Sequence, residues 1–143
     1  MLLSLRAAAA MLDALTAQLD SGAQAGYIEV RSGTKPLAVE DSARDGEVLA
    51  VVILNDPAFG LSIYEPESLW AEVDAIVEPV LTDSKAGGTG TATWFRAYDS
   101  NDHPILDGTV GTVHADLVVN AAYVEAGQPF TVTSLKLRMP TGK

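Results

Sequence analysis

The hydrophobic pattern of this chain changes its period near Gly26, and that change constrains the fold more than any other feature. Before Gly26, apolar residues recur at intervals of three and four. In a helix this spacing forms one stripe, which consists of Leu5, Ala8, Leu12, Leu15 and Leu19. After Gly26, short apolar or alternating runs are separated by turn residues, as is typical of strands. The sequence therefore predicts a single domain, with an amphipathic helix in residues 1–22 and a β-sandwich in residues 23–143.

Composition limits the classes of function. The 143 residues are enough for one domain with a hydrophobic core, and 48% of them are apolar. The net charge of −10, with only nine scattered lysines and arginines, argues against a nucleic-acid partner, because phosphate binding needs clustered cations. No apolar run reaches the roughly 20 residues of a membrane-spanning helix, so we expect no membrane partner. The N-terminus lacks the charged start of a signal peptide, so we expect an unprocessed protein made in the cytoplasm.

The predicted helix ends at Asp20 and Ser21, and Gly22 is suited to the C′ position that follows. Its leucine stripe spans fewer than three heptads, which is too short to predict a coiled coil. The stripe can pack on the chain's own sheet or on a neighbouring subunit. It therefore supplies the first candidate interface residues, which are Leu5, Leu12, Leu15 and Leu19.

The first two predicted strands lie on either side of a polar loop. Residues 27–31 alternate between apolar and polar, whereas residues 48–54 are apolar throughout, which predicts a central strand. Residues 35–46 between them are predicted to form a loop in which Leu37 and Val39 are the anchors. Residues 54–60 then form a corner, because Pro57 has no N–H for a β-ladder and the preceding Asn and Asp favour turns.

Residues 61–83 have two interpretations. In the first, a helix begins near residue 65, because helical spacing separates the apolar residues Leu69, Trp70, Val73 and Ile76. Alternation of Val73, Ala75 and Val77 instead predicts a strand from about Val73 to Leu81, with Pro79 at an edge or a bulge. We favour the strand.

The last third of the chain has the clearest strand signals. Residues 91–98 and 104–110 flank a turn at residues 99–102 and predict a hairpin. Residues 116–120 and 130–139 predict two further strands. The spacing of these strands and turns predicts a mainly antiparallel β-sandwich or jelly roll of about seven to nine strands, preceded by one helix.

No motif in the sequence indicates an enzyme. Cysteine is absent, and His103 and His114 lack the spacing of a metal site. Residues 99–102 resemble the start of a calcium loop, but the glycine and the glutamate that complete such a loop are missing, so we interpret them as a turn. The glycines of residues 87–90 are not followed by the lysine of a phosphate-binding loop. We predict a protein with no enzymatic activity, no cofactor and no metal.

Several segments, in their order along the chain, resemble a family of small structural proteins of tailed bacteriophages and prophages. The similar segments are residues 25–33, 54–60, 88–96, 106–112, 115–117 and 132–140. The alanine-rich N-terminal helix is similar as well. Residues 61–81 depart from the family, because this chain is more acidic there and contains Trp70.

The resemblance implies a virion component, which we place on the capsid surface as a decoration or cement protein that bridges capsomers. Its partner would be the major capsid protein of the same phage, and we expect a homo-oligomer, either a trimer or a dimer. Beside the helix leucines, the candidate interface residues are Glu65, Glu67, Trp70, Glu72 and Asp74. The alternatives are a head-completion or tail-associated protein, and a carbohydrate-binding β-sandwich in which Trp70 and Tyr64 are stacking platforms.

Overall fold

The computed structural model describes residues 1–142 and shows a mainly β protein with one N-terminal helix. This confirms the predicted fold class, and the arrangement is consistent with a β-sandwich. The described residues form ten strands, three of which have only two residues, so the count exceeds the expected seven to nine. The elements are α1 Leu5–Leu19, β1 Tyr27–Arg31, β2 Val48–Ile53, β3 Trp70–Asp74, β4 Thr82–Asp83, β5 Gly90–Thr91, β6 Trp94–Tyr98, β7 Pro104–Gly111, β8 Leu117–Val119, β9 Tyr123–Val124 and β10 Phe130–Pro140.

The main sheet has eight strands. Seven follow the order β2-β1-β6-β7-β8-β10-β3, and β4 pairs with β10 beside this path. The pairs in this sheet are antiparallel except β7 and β8, which run parallel. Buried residues from both halves of the sheet and from α1 form one hydrophobic cluster, so the helix and the strands share a core.

The N-terminal helix packs against the chain's own sheet, on β3 and β10. It begins after Ser4, whose hydroxyl oxygen accepts a hydrogen bond from the backbone N–H of Ala7 at 3.0 Å. Leu12 and Leu19 are fully buried in the core. The helix ends at its C-cap Asp20, so Gly22, with φ of +96°, lies one position beyond the C′ site predicted for it.

The apolar strand β2 lies at one end of the sheet, so the prediction of a central strand is wrong. Its side chains alternate: Leu49 is buried, whereas Val51 and Ile53 are 39% and 60% exposed. The backbone edge of β2 is covered in another way, because Asp83 Oδ2 accepts from Val51 N at 2.9 Å and Gly87 N donates to Leu49 O at 3.1 Å. A covering segment therefore protects this edge from pairing with another chain.

The strand predicted from about Val73 to Leu81 is wrong over most of its length, because β3 spans Trp70–Asp74 and shares only Val73 and Asp74 with it. The helix interpretation is wrong, because the backbone of Glu72 exchanges hydrogen bonds with that of Ile63 at 2.7 and 2.8 Å. Ala75 is still bonded to the sheet, because its N–H donates to the Leu135 carbonyl oxygen at 2.9 Å, and Pro79 lies beyond this point, outside the strand. The short strand β4 then returns to pair with β10.

The strand predicted at residues 91–98 is divided, because Thr91 belongs to β5, which pairs with β9 in a separate two-stranded sheet, and the hairpin strand β6 begins at Trp94. The remaining predicted strands are confirmed. Strand β1 covers residues 27–31 as expected, β6 and β7 form the hairpin, and β8 and β10 occupy the two last predicted segments. Residues 35–46 form a loop without helix or strand. Leu37 is not an anchor, because its side chain is fully exposed, and Val39 is only half-buried.

Candidate functional site

The loop of residues 35–46 covers one face of β6, and a buried arginine holds it there. The Arg96 side chain donates to both carboxylate oxygens of Asp107, at 2.7 and 2.9 Å, and to the backbone carbonyl oxygens of Asp41 at 2.7 Å and Ala38 at 3.5 Å. The two ionic side chains are 7% and 5% exposed. The hydrogen bonds to Asp107 raise the pKa of the Arg96 guanidinium. We name these four residues the Arg96 clamp, and it anchors the loop through backbone carbonyls.

Trp94 lies in the same layer and is 1% exposed, as expected for a core residue. Its indole N–H donates to the Ser32 carbonyl oxygen at 3.2 Å. The guanidinium carbons of Arg31 and Arg96 lie 5.6 and 5.4 Å from the centroid of its ring. Trp94 is therefore part of the packing beneath the loop and presents no ring face to a ligand.

Tyrosines and acidic side chains close the turn between β6 and β7. The rings of Tyr27 and Tyr98 stack with centroids 4.9 Å apart, and the Tyr27 hydroxyl donates to Asp102 Oδ1 at 2.7 Å. Burial and the neighbouring Glu29 raise the pKa of Tyr98 to about 12. Asp99 Oδ1 accepts from the backbone N–H of Asn101 and of His103, both at 2.9 Å. These contacts are those of a turn, as the sequence predicts.

An edge segment, defined here as residues 63–69, lies along the outer side of β3. Ile63 joins it to the sheet through the hydrogen bonds with Glu72, and exposed apolar side chains follow, with Tyr64 45% and Leu69 48% exposed. Glu65 and Glu67 are exposed, and within residues 1–142 neither makes an ion pair. This segment therefore combines apolar surface with two carboxylates that are free to meet a partner.

The remaining predicted acidic residues are held by cations on β10. Glu72 accepts from Arg138 Nε at 3.0 Å and lies 3.6 Å from Lys136 Nζ, which is also 3.8 Å from Asp74. The hydrogen bond from Arg138 lowers the pKa of Glu72. The Arg138 guanidinium also lies 4.7 Å from the centroid of the Trp70 ring, so one face of that ring is covered and is not open to a sugar. The structure thus separates Glu65 and Glu67 from the other three candidates.

At least three grooves are open at the surface. One of about 430 Å³ lies within the loop of residues 35–46, and its lining includes Lys35, Leu37, Asp41 and Arg44. A groove of about 550 Å³ beside β8 and β10 is lined by residues that include Thr109, His114, Asp116 and Lys136. A groove of about 370 Å³ lies between α1 and residues 57–61. We name the groove beside α1 the helix groove.

The histidines and acidic side chains of the described residues do not converge on a metal site. Residues 1–142 contain no group of three or more His, Asp or Glu side chains placed to hold a metal ion. His103 contacts Asp99 at 3.1 Å, whereas His114 lies in the groove beside β8. No helix within the same residues is both long and apolar enough to cross a bilayer.

No protein-family model matches the chain, and searches of curated proteins and of solved structures find no match.

The four helix leucines predicted as interface residues differ in how accessible they are to a partner. Leu12 and Leu19 belong to the chain's own core, while Leu5 and Leu15 are half-buried. The alternative that Leu12 and Leu19 contact another subunit is therefore wrong for this structure. Sequence reasoning also missed the Arg96 clamp, and the only signal for it was a cation in the middle of a strand, on the same face as Trp94.

Proposed function

We propose that this chain is a bacteriophage virion structural protein, a capsid decoration protein that binds the major capsid protein and stabilises the head by bridging capsomers. Two arguments support the proposal. The first is that several sequence segments, in their order along the chain, resemble small phage structural proteins, and the second is the exposed edge segment. The observation that carries the second is that Glu65 and Glu67 make no ion pair within residues 1–142 and lie beside the exposed Tyr64 and Leu69. Such a protein would be made in the host cytoplasm and end on the capsid surface.

The edge segment suits attachment to a larger surface. Backbone hydrogen bonds hold both of its ends, from Ile63 to Glu72 of β3 and from Thr141 to the Leu69 carbonyl oxygen, so little ordering of the backbone is needed when a partner binds. Apolar contacts of Tyr64 and Leu69 would contribute about 25 cal/mol per Å² of surface buried. The two carboxylates would meet basic residues of the capsid and mainly increase the association rate and set the orientation.

The attachment site is narrower than the sequence predicts. Glu72 already pairs with Arg138 and Lys136, and Asp74 lies 3.8 Å from Lys136, so both carboxylates have cations of this chain beside them, unlike Glu65 and Glu67. The leucine stripe of α1 is occupied by the chain's own core. We therefore assign the capsid contact to the edge segment alone.

Co-sedimentation with undecorated heads tests this assignment. The variant E65Q/E67Q should bind about threefold to tenfold more weakly at low salt, and the deficit should shrink at high salt because screening removes the charge contribution. The variant Y64A/L69A should bind more weakly at every salt concentration. The control is E40Q/E125Q, which removes two exposed glutamates outside the edge segment and should bind like the parent.

Two results would contradict the proposal. If both edge-segment variants sediment with heads as the parent does, the edge segment is not the attachment site. If the parent binds purified tails and not heads, the chain is a tail-associated protein and the capsid assignment fails.

A further inference from the structure

The loop of residues 35–46 presents an apolar side chain to solvent on a held backbone. Leu37 is 103% exposed, and its neighbours Lys35 and Pro36 lie on the same surface loop. The Arg96 clamp fixes the carbonyl of Ala38, one residue further on. The start of the loop is also fixed, because the Thr93 hydroxyl donates to the Gly33 carbonyl oxygen at 2.7 Å. Residues 35–37 form one wall of the groove of about 430 Å³ within this loop, and we name them the loop knob.

The helix groove has the complementary character. Its apolar lining includes Pro57, Phe59 and Ile76, and its volume is about 370 Å³. Two carboxylates, of Asp13 and Asp20, line it from α1. The groove is therefore apolar with an acidic margin.

Each of those carboxylates has one oxygen engaged by the backbone. Asp13 Oδ1 accepts from Ser62 N at 3.0 Å, and Asp20 Oδ1 accepts from Ala58 N at 2.9 Å. Neither carboxylate makes an ion pair within residues 1–142, so both charges are available to a cation from outside. Lys35 likewise makes no ion pair among those residues, and it is exposed.

We propose that the helix groove of one copy of this chain binds the loop knob of a second copy. Leu37 enters the apolar part of the groove, and the Lys35 ammonium group approaches Asp13 and Asp20 at its margin. Leucine is the kind of side chain that an apolar groove of this size can take, and the charge of Lys35 is opposite to those of Asp13 and Asp20. Because the Arg96 clamp already orders the loop, association loses less conformational entropy than it would with a mobile loop.

The contact is heterologous, because the knob and the groove are different surfaces. The knob belongs to the loop held on β6, whereas the groove is formed by α1 and residues 57–61. An assembly built by this contact has one unoccupied knob at one end and one unoccupied groove at the other. It either closes into a ring, in which the two are joined, or grows as an open filament. The contact needs no capsid protein, so it is independent of the proposed attachment.

Sedimentation velocity over a range of concentrations tests the contact with the purified chain. The parent should assemble beyond a monomer, and L37D should raise the dissociation constant about tenfold to hundredfold, because the apolar burial is lost. A17R should have the same effect, because Ala17 is an exposed residue of α1 that lines the groove and arginine is well tolerated in helices. V113D is the matched control, since Val113 is 71% exposed outside the knob and the groove.

Mixing the two variants gives the sharpest result. L37D keeps an intact groove and A17R keeps an intact knob, so an equimolar mixture should form a one-to-one heterodimer and nothing larger. Circular dichroism and thermal unfolding of each variant establish that it is folded like the parent. A parent that stays monomeric up to about 1 mM overturns the proposal. So do folded variants that assemble like the parent, or a mixture that remains monomeric.

Discussion

Replacing the buried Arg96 of β6 by methionine should destabilise the protein. Methionine keeps an unbranched apolar side chain of comparable length but removes every donor of the guanidinium. Asp107, whose side chain is 5% exposed, would be left as a buried charge without its cation. The carbonyl oxygens of Ala38 and Asp41 would lose their partner at the same time.

The expected cost is about 3–5 kcal/mol of the free energy of unfolding, the usual result of breaking a buried ion pair on one side. A typical domain has a stability of about 5–15 kcal/mol, so R96M should still fold at low temperature. Urea unfolding followed by tryptophan fluorescence measures the change. The midpoint should fall while the denaturant slope stays constant, because the surface exposed on unfolding is nearly the same.

A double variant separates the cost of the lone charge from the loss of the loop anchor. R96M/D107L replaces the buried pair by two apolar side chains and should recover most of the stability lost in R96M. It should not restore the loop, since no donor remains for the two carbonyl oxygens. Tryptic cleavage after the exposed Arg44 should therefore rise about tenfold in both variants. The only other basic residue of the loop, Lys35, precedes a proline and resists trypsin.

Two outcomes would refute this reasoning. If R96M loses less than about 1 kcal/mol, the pair is effectively solvated and the buried-charge argument fails. If Arg44 is cut no faster in the double variant than in the parent, side-chain packing and not the carbonyl contacts of Arg96 orders the loop.

Two further changes test the core and the response to acid. L12A should cost about 2–5 kcal/mol in urea unfolding because Leu12 is fully buried, whereas M11A, at a helix position that is 46% exposed, should cost less than about 0.5 kcal/mol; equal losses would contradict the assigned burial. Burial acts to raise the pKa of Asp99, but hydrogen bonds from His103 and Asn101 outweigh burial and lower this pKa. The contribution of Asp99 to stability is therefore present above the unfolded pKa of about 3.9 and is lost as pH falls through the folded value. D99N should therefore lose less stability than the parent between about pH 5 and pH 2, while D56N, which changes an exposed aspartate, should follow the parent; a parent-like acid response of D99N would contradict the assignment.

The local hydrophobic pattern was enough to predict those elements whose structure depends on residues close by in the sequence. The helical stripe predicts α1, and the alternation of residues 91–98 with the turn that follows predicts the β6–β7 hairpin, because the period of 3.6 or 2 acts over a few residues. The same pattern failed for residues 61–83. There, a backbone pairing of Ile63 with Glu72 outweighed the helical spacing of the side chains.

The sequence by itself determined the fold class, the position of the helix and of the longer strands other than β3, and the absence of cysteine chemistry, since each depends on composition or on neighbours along the chain. Tertiary structure alone decided which charged side chains are free. Glu65 and Glu72 look alike in the sequence, but only Glu72 lies opposite Arg138, whose position 66 residues away is set by the register of β3 and β10. It also decided that α1 covers its own sheet and that Arg96 meets carbonyls 55 and 58 residues away, because contacts at such separations follow from strand order, which no local period encodes.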